Sequence, residues 1–379
     1  MTSIPHSGIP QSGVVRNDRK AADIPIDDPE AISFFEFWPM WLIYLPVVLL
    51  WLGKAVRYRS LSLPLLANPD LPLGGMVGVS KARLQDTARK PMATALLPYQ
   101  VVLRSDQSGK EQVMRVLPKI ERDLGPLPLV CKPDIGCRGA GVKLVHSADE
   151  LAEIFEHYPA GAGMMLQRLA QAESEAGIFY VRRPNEEMGR ITSMAFKHTP
   201  YVTGDGQHTV AELVSLLPRA SKLQYLYKKR LAARWNEVLT PGERLKLVFS
   251  ASHCRGAIFR DARAHVTPEL IHTVDQLMKA LPNFHYGRLD VKFADLPKLK
   301  KGQSIEVIEI NTVSSEPLHI WDGRAKFRDA IGALMDHYRE LFEIGAQVRE
   351  QGVRPPGIMA LLDGLRKEQS LVATYPPTD

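Results

Sequence analysis

Cysteine is scarce in this chain. Three cysteines occur, at positions 131, 137 and 254, and no two of them form a CxxC pair. Disulfide-stabilised domains and structural zinc sites need paired or clustered cysteines, so the sequence disfavours both. The same scarcity fits a protein that works in a reducing cytoplasm.

A dense block of lysine or arginine is also absent. The net charge is +6, from 48 basic and 42 acidic side chains spread over 379 residues. Proteins that bind nucleic acid concentrate basic residues on one surface, so no nucleic-acid partner is predicted. An apolar content of 45% and a charged content of 24% are ordinary for a folded protein, and the length allows two or three domains.

The first 30 residues lack any apolar period and read as a flexible tail. No signal peptide is predicted, because the apolar run begins too late and no small-residue cleavage site follows it. The apolar run itself carries no charge from Phe37 to Gly53. As a helix it would cover about 25 Å, just short of the ~30 Å hydrocarbon core of a bilayer, and Pro39 and Pro46 would kink a straight span.

Basic residues follow this apolar segment at once, whereas more acid than base precedes it. By the positive-inside rule, the remainder of the chain then lies in the cytoplasm. Three interpretations stay open: an in-plane or re-entrant membrane helix, a single span, and a buried helix of a soluble protein. Membrane association is favoured, so we expect the chain at the cytoplasmic face of a membrane, as in the bacterial inner membrane, or else in the cytoplasm.

Two predicted strands end in polar side chains. Arg288 lies two positions before Asp290 on one strand, and Glu309 and Asn311 lie two apart on the other. Residues two apart in a strand share one face of the sheet. Two carboxylates and an amide oxygen form the all-oxygen set that Mg²⁺ prefers, with water and nucleotide phosphates completing its coordination. Taken alone, these residues could equally be edge-strand carboxylates that face solvent.

A glycine-rich loop follows another predicted strand upstream. The strand ends near Lys132, and the loop contains Gly136, Gly139 and Gly141. Such a loop lets backbone N–H groups close over phosphate oxygens, while a neighbouring lysine neutralises their charge. Alone, the loop is more often a structural turn.

In this order, the segments resemble the ATP-grasp superfamily, and within it carboxylate–amine ligases such as D-alanine–D-alanine ligase. The resemblance covers roughly residues 73 to 341. A further string, Gly204-Asp-Gly-Gln-His-Thr-Val-Ala-Glu-Leu213, looks like that of cyanophycin synthetases and of bifunctional glutathione synthetases. The resemblance implies an α+β ATP-grasp fold, with two α+β sub-domains that clamp ATP, behind an N-terminal apolar helix that associates with a membrane.

Composition and this resemblance together predict five regions: a flexible tail (1–30), a membrane-associating segment (31–59), a linker and pre-ATP-grasp region (60–125), an ATP-grasp domain (126–345) and a C-terminal tail (346–379). The resemblance also implies roles for single residues. Asp290, Glu309 and Asn311 would hold Mg²⁺ or Mn²⁺, and the catalytic residues would be Arg288 and Lys132. The predicted ATP-binding residues are Lys81, Lys132, Gly136, Arg138, Gly139, Gly141, Gln167, Glu175 and Lys197. Glu173 is the alternative to Glu175.

The loop after Asn311 departs from D-alanine–D-alanine ligase, which continues with Pro-Gly. Here Glu316, His319 and Asp322 are candidates to bind a cationic amine or to act as its base, and the alternative for Asp322 is a helix N-cap. We therefore expect a different substrate.

The predicted function is an ATP-dependent carboxylate–amine ligase that acts through an acyl phosphate on small-molecule or lipid-linked substrates. Two alternatives are a small-molecule kinase on the same fold and a non-catalytic, membrane-anchored ATP-binding protein. The sequence leaves open which acid and amine are joined and whether the chain forms a homodimer.

Overall fold

The computed structural model describes residues 31–136, 139–252 and 256–375. The helices are α1 Met40–Tyr58, α2 Lys81–Asp86, α3 Met92–Ala95, α4 Gly109–Leu124, α5 Ala148–His157, α6 Val210–Leu216, α7 Pro218–Ser221, α8 Gln224–Arg230, α9 Pro268–Lys279, α10 Leu296–Lys300, α11 Phe327–Glu350 and α12 Ile358–Val372. The strands are β1 Tyr99–Leu103, β2 Leu129–Pro133, β3 Lys143–Val145, β4 Gly163–Arg168, β5 Ser174–Val181, β6 Arg190–His198, β7 Tyr201–Thr203, β8 Arg244–Lys246, β9 Ile258–Asp261, β10 Tyr286–Phe293 and β11 Ile305–Asn311.

The central element is a five-stranded antiparallel sheet with the order β11-β10-β5-β6-β9. Successive side chains of each strand lie on opposite faces of this sheet. One face packs its apolar residues, among them Ile178, Met194 and Leu289, against α9 in the largest hydrophobic cluster. The opposite face carries charged residues at one end and continues into the clusters beneath α1 and α11 at the other.

A four-stranded antiparallel sheet, β1-β4-β2-β3, forms the second layer. It packs against α4 and α5 through a separate apolar cluster. Both helices have N-caps that stop them from fraying: Ser108 and Glu111 form a capping box on α4, and Ser147 caps α5. Strand β2 thereby directs Lys132 and the glycine loop toward the charged face of the five-stranded sheet. The remaining strands, β7 and β8, form a small two-stranded sheet.

Helix α1 lies along α11. Its buried side chains Ile43, Val47 and Ala55 face the domain. At its C-terminal end Lys54 and Tyr58 both bond to Glu343 of α11, at 3.2 and 2.8 Å. It is the one described helix that is long and apolar enough to cross a membrane. A mixed α and β fold with an apolar N-terminal helix is therefore confirmed.

The segment predicted as a C-terminal tail contains the last turns of α11 and all of α12. After α12 the Tyr375 hydroxyl donates to the carbonyl of Ile135, at 2.6 Å, and its ring lies against Gly136. The end of the described chain therefore packs on the glycine loop. The predicted bounds of the five regions stay predictions.

Candidate active site

A cleft of about 2830 Å³ separates the two larger sheets. Most of the predicted site residues line it: Lys81, Lys132, Gly136, Gly139, Gln167, Glu175, Lys197, Arg288, Asp290, Glu309 and Asn311. Gly141 lies outside the lining, because it packs on Tyr158, whose hydroxyl donates to its carbonyl at 3.1 Å. Arg138 falls outside the described residues. The structure thus brings residues from four distant parts of the chain into one cleft.

Asp290 is the centre of the charged face. Arg288 donates to both of its oxygens, from Nε at 2.8 Å and Nη2 at 3.2 Å, and the Lys197 ammonium lies 2.9 Å from Oδ2. Asn311 Nδ2 donates to the same oxygen at 3.0 Å. Burial alone would raise the pKa of Asp290, but the two adjacent cations hold it well below its usual range. Asp290 is therefore ionised in the folded protein.

Lys197 joins Asp290 to a second carboxylate. Its ammonium contacts Glu175 at 2.9 Å, and Lys292 contacts the other oxygen of Glu175 at 3.0 Å. Burial opposes a charge on either group, yet the two lysines lower the pKa of Glu175, and the two carboxylates raise the pKa of Lys197. The alternative residue, Glu173, is exposed and offers only its carbonyl to Lys292. Glu175 is thus the glutamate that lines the buried floor of the cleft.

Lys132 reaches across from the other sheet. Its ammonium donates to Gln167 Oε1 at 2.9 Å and to the carbonyl of Ile308 at 3.0 Å. That carbonyl is accessible because β10 and β11 shift register between Asp290 and Val291, which leaves Ile308 as a bulge residue without a partner on β10. Burial is the largest influence on Lys132 and lowers its pKa to about 8, although Glu309 opposes the shift.

Lys81 holds the glycine loop through two hydrogen bonds. This residue begins α2, and its ammonium donates to the carbonyls of Gly136 at 2.7 Å and Pro133 at 3.3 Å. Gly136 and Gly139 have positive φ angles, of 151° and 71°. A Cβ atom at Gly139 would lie 2.8 Å from Ser250 Oγ. Glycine is therefore required where the loop turns and approaches its neighbours.

The residues predicted to bind Mg²⁺ form a compact set on β10 and β11. Asp290 pairs with Glu309 in the ladder and Arg288 pairs with Asn311, so all four side chains share one face. Within the described residues, neither the Glu309 carboxylate nor the Asn311 amide oxygen accepts a hydrogen bond, and both can take a hard cation. The described part of the chain contains no metal-binding cluster of three or more His, Cys, Asp or Glu side chains.

Asp290 is less free to bind a metal ion than Glu309 and Asn311 are. Its two oxygens already receive four donors, from Arg288, Lys197 and Asn311. A carboxylate has about four acceptor positions, so a cation at Asp290 requires one donor to move aside. The set fits Mg²⁺ chemically, with Glu309 and Asn311 ready to bind and Asp290 dependent on a small rearrangement.

The far end of the cleft meets α1. Tyr44 of α1 donates its hydroxyl to Glu316 Oε1, and Trp321 Nε1 donates to Glu316 Oε2 at 3.0 Å. The backbone carbonyl of Glu316 accepts from Arg288 Nη1 at 3.2 Å. Glu316 therefore links the apolar helix to Arg288.

The other two candidates of this loop are structural. His319 is buried against Ser193 Oγ, at 2.7 Å, and burial lowers its pKa to about 4. Asp322 accepts from the backbone N–H groups of Asp261 and Arg324, each at 2.8 Å, while the N-cap of α11 is Lys326. Asp322 therefore fixes the loop to β9 and is not the helix cap.

Several residues that line the cleft were missed by sequence reasoning. Lys292 continues the alternation of Arg288 and Asp290 along β10, so period two could have found it. Tyr44 and the α12 residues that line the cleft have no local signal, because their partners lie far away in the sequence.

No family model matches the chain. In an alignment 285 positions long that covers 69% of the chain, it is 21% identical to cyanophycin synthetases from Trichormus variabilis and from a Nostoc species, and it spans 30% of their length. D-alanine–D-alanine ligase from Bacillus anthracis aligns over 76% of both chains, with 16% identity and a TM-score of 0.41. A bifunctional glutathione synthetase from Pasteurella multocida aligns over 69% of this chain and 38% of its own, with 17% identity and a TM-score of 0.34. The sequence similarity to cyanophycin synthetases confirms the predicted resemblance to ATP-grasp carboxylate–amine ligases.

Proposed function

We propose that this chain is an ATP-dependent carboxylate–amine ligase that releases ADP and phosphate as it forms an amide. The observation that carries the proposal is the shared cleft: Lys132 and the glycine loop face Asp290, Glu309 and Asn311 across it. A nucleoside triphosphate needs phosphate-binding groups on one wall of its site and cation-binding oxygens on the other. The name of the sequence relatives, cyanophycin synthetase, supports the same reaction class.

In the proposed mechanism, a substrate carboxylate attacks the γ-phosphorus of ATP, and ADP leaves. The amine nitrogen then attacks the acyl carbon, the C–O bond to phosphate breaks, and the nitrogen loses a proton. Lys132 binds the phosphate oxygens from one side. Mg²⁺ or Mn²⁺ held by Asp290, Glu309 and Asn311 would offset the phosphate charge. Glu175, kept ionised by Lys197 and Lys292, would accept hydrogen bonds from the ribose hydroxyls.

Arg288 is the group that we assign to the second step. Asp290 and the Glu316 carbonyl fix its guanidinium at the edge of the charged end of the cleft. This end contains Lys132, Glu175, Lys197 and Asp290, and we call it the nucleotide end because ATP is proposed to bind there. A fixed cation stabilises the negative charge that develops on the acyl oxygen when the amine attacks. Its burial strengthens that interaction, because little water is present to screen it.

The test is release of ADP and phosphate by the full chain, supplied with pools of carboxylates and amines. We expect release only when both pools are present, and none from Asp290→Asn. ADP without free phosphate, in the presence of an alcohol and no amine, would identify a kinase instead. Bound ATP that is never cleaved under any pool would contradict the ligase proposal.

We further propose that the chain attaches to the cytoplasmic face of a membrane through α1, lying in the membrane plane. One side of α1 packs on α11, and the opposite side is apolar and exposed along its whole length: Trp41, Leu45, Val48, Leu49, Leu52 and Val56. Arg57 and Arg59 are exposed at its C-terminal end, where anionic headgroups would attract them. A helix that crosses the bilayer would have to break the contacts of Lys54 and Tyr58 with Glu343.

Flotation with vesicles tests this attachment. We expect the chain to bind vesicles that contain phosphatidylglycerol and to bind less when Leu49→Asp places a charge on the exposed side. Binding that is unchanged in this variant would contradict the proposal. A dimer in solution that Leu49→Asp dissociates would show instead that a second copy covers this side of α1.

The five-region division of the chain, with the ATP-grasp domain at 126–345, is part of the proposal of a membrane-attached ligase.

A further inference from the structure

The cleft does not end at Arg288 but continues to α1. Met40, Trp41 and Tyr44, from the first turns of α1, line the same cleft as Asp290 and Glu309. Trp41 is 70% exposed and also belongs to the apolar exposed side of α1. The cleft therefore opens at the side of α1 that faces away from the domain.

The walls at this end are aromatic and aliphatic, in contrast to the charged floor. Tyr44, Leu318, Trp321 and Tyr338 line it together with Met40 and Trp41. The charge among these walls is Glu316, whose carboxylate is oriented by the Tyr44 hydroxyl and the Trp321 indole. An ammonium group is attracted to such a carboxylate, and hydrocarbon is stabilised along the apolar walls.

From this juxtaposition we infer that the amine substrate is an amphiphile: a primary amine on a hydrocarbon chain, taken from the surface of a membrane. The inference rests on the proposed ligase function and names the substrate class for the same site. The amine lies at Glu316, within reach of the acyl group near Arg288, and the chain extends past Tyr44 and Trp41 toward the lipid. In the reaction the bound ammonium first loses one proton to water, and the freed nitrogen lone pair forms a bond to the acyl carbon. Phosphate leaves with the C–O electron pair and takes up the second proton from the nitrogen.

Chain length provides the first measurement. With butylamine, octylamine and dodecylamine as the probes, each below its micelle concentration, we expect KM for the amine to fall as the chain grows. Each methylene buried against these walls strengthens binding about fourfold. Equal KM values across the series would overturn the inference.

Photolabelling provides a second measurement that needs no turnover. Dodecylamine with a diazirine at the end of its chain should label the first turns of α1, and an excess of plain dodecylamine, but not of butylamine, should prevent it. Trp41→Gln and Leu49→Gln form a matched pair, because both residues are exposed on the same side of α1 but only Trp41 lines the cleft. We expect about a tenfold loss of protectable labelling in Trp41→Gln and little change in Leu49→Gln.

The two measurements separate this inference from the ligase proposal. Labelling spread evenly along α1, or reduced equally in both variants, would overturn the amphiphile site even if short amines are ligated. Protectable labelling at Trp41 in a protein that never cleaves ATP would support the amphiphile site while the ligase proposal fails.

Discussion

The two ends of the cleft are built from different kinds of side chain. At the nucleotide end, Lys132, Glu175, Lys197 and Asp290 are each at most 8% exposed, and each has an oppositely charged or polar partner. At the far end, aromatic side chains form the walls and Glu316 supplies the charge.

This contrast shows where substitutions are tolerated. A buried charge is stable only while its partners remain, since an unpaired one costs several kcal/mol. In the proposed ligase the same buried charges serve both ATP binding and the stability of the fold, so few substitutions are tolerated at the nucleotide end. The far end is stabilised by apolar contacts that other side chains of similar size can replace, so substrate choice can change without loss of the fold.

The largest expected effect comes from Asp290→Asn. The substitution removes the charge that neutralises Arg288 and Lys197, so we expect a loss of about 3–5 kcal/mol in the free energy of unfolding. Turnover should fall by about 1,000-fold or more, because the positions of Arg288 and the cation depend on this carboxylate. Urea unfolding and ADP release measure the two effects.

The control is Asp336→Asn on α11. Asp336 is exposed and pairs with Arg339 at the surface, where an ion pair contributes little. Both measurements should stay near those of the original protein. The contrast between the two ends would lose its basis if Asp290→Asn were as stable as this control.

The charged end was largely predictable from the sequence, and the far end was not. Alternation along β10 and β11 placed Arg288, Asp290, Glu309 and Asn311 on one face, because a strand repeats every two residues. The bulge at Ile308 was not predictable, because a bulge depends on how two strands pair. The bond between Tyr44 and Glu316 joins residues 272 positions apart, and only tertiary packing decides such a contact.

The second expected effect is a pH dependence of ATP binding. Burial lowers the pKa of Lys132 to about 8, and only the charged form neutralises phosphate. Binding should therefore weaken as pH rises above 8, by up to about tenfold per pH unit. Lys132→Arg keeps its charge throughout this range, so its profile should be flat between pH 7 and 10. Equal slopes for the two proteins would show that another group controls binding.

Stability should change in the opposite direction. Between pH 8 and the usual lysine value of 10.5, the unfolded chain binds more protons than the folded one at Lys132. This group therefore adds stability as pH rises through that window. Urea unfolding of the nucleotide-free protein at pH 8 and 9.5, compared with Lys132→Arg, isolates the contribution as the difference in slope.

A smaller effect is expected from Gly177→Ala, where the two ends of the cleft meet. A Cβ atom at Gly177 would lie 2.6 Å from Leu318 Cδ1 and 3.2 Å from Arg288 Cδ. Displacing them should cost about 1–3 kcal/mol of stability and lower kcat. The same substitution at Gly332, in α11, meets no atom within 4 Å and should stabilise the helix by about 0.5–1 kcal/mol. Equal effects at both glycines would contradict the crowding at Gly177.

The smallest expected effect comes from replacing single tyrosines of α1. It is also the most selective, because it distinguishes a hydrogen bond that only stabilises the fold from one whose glutamate also contacts Arg288. Tyr44 and Tyr58 both lie on α1, and each donates its hydroxyl to a glutamate, Glu316 and Glu343 respectively. Replacing either tyrosine by phenylalanine removes one hydrogen bond, which is worth about 1 kcal/mol. Similar losses in the free energy of unfolding are therefore expected for both variants.

Turnover should distinguish these two variants. Glu316 also holds Arg288 through its backbone carbonyl, whereas Glu343 lies on α11, outside the cleft lining. Tyr44→Phe should therefore lower kcat about fivefold, and Tyr58→Phe should leave it unchanged. Equal kcat values would mean that the Glu316 loop keeps its position without α1, and that the apolar helix serves the cleft only as a wall.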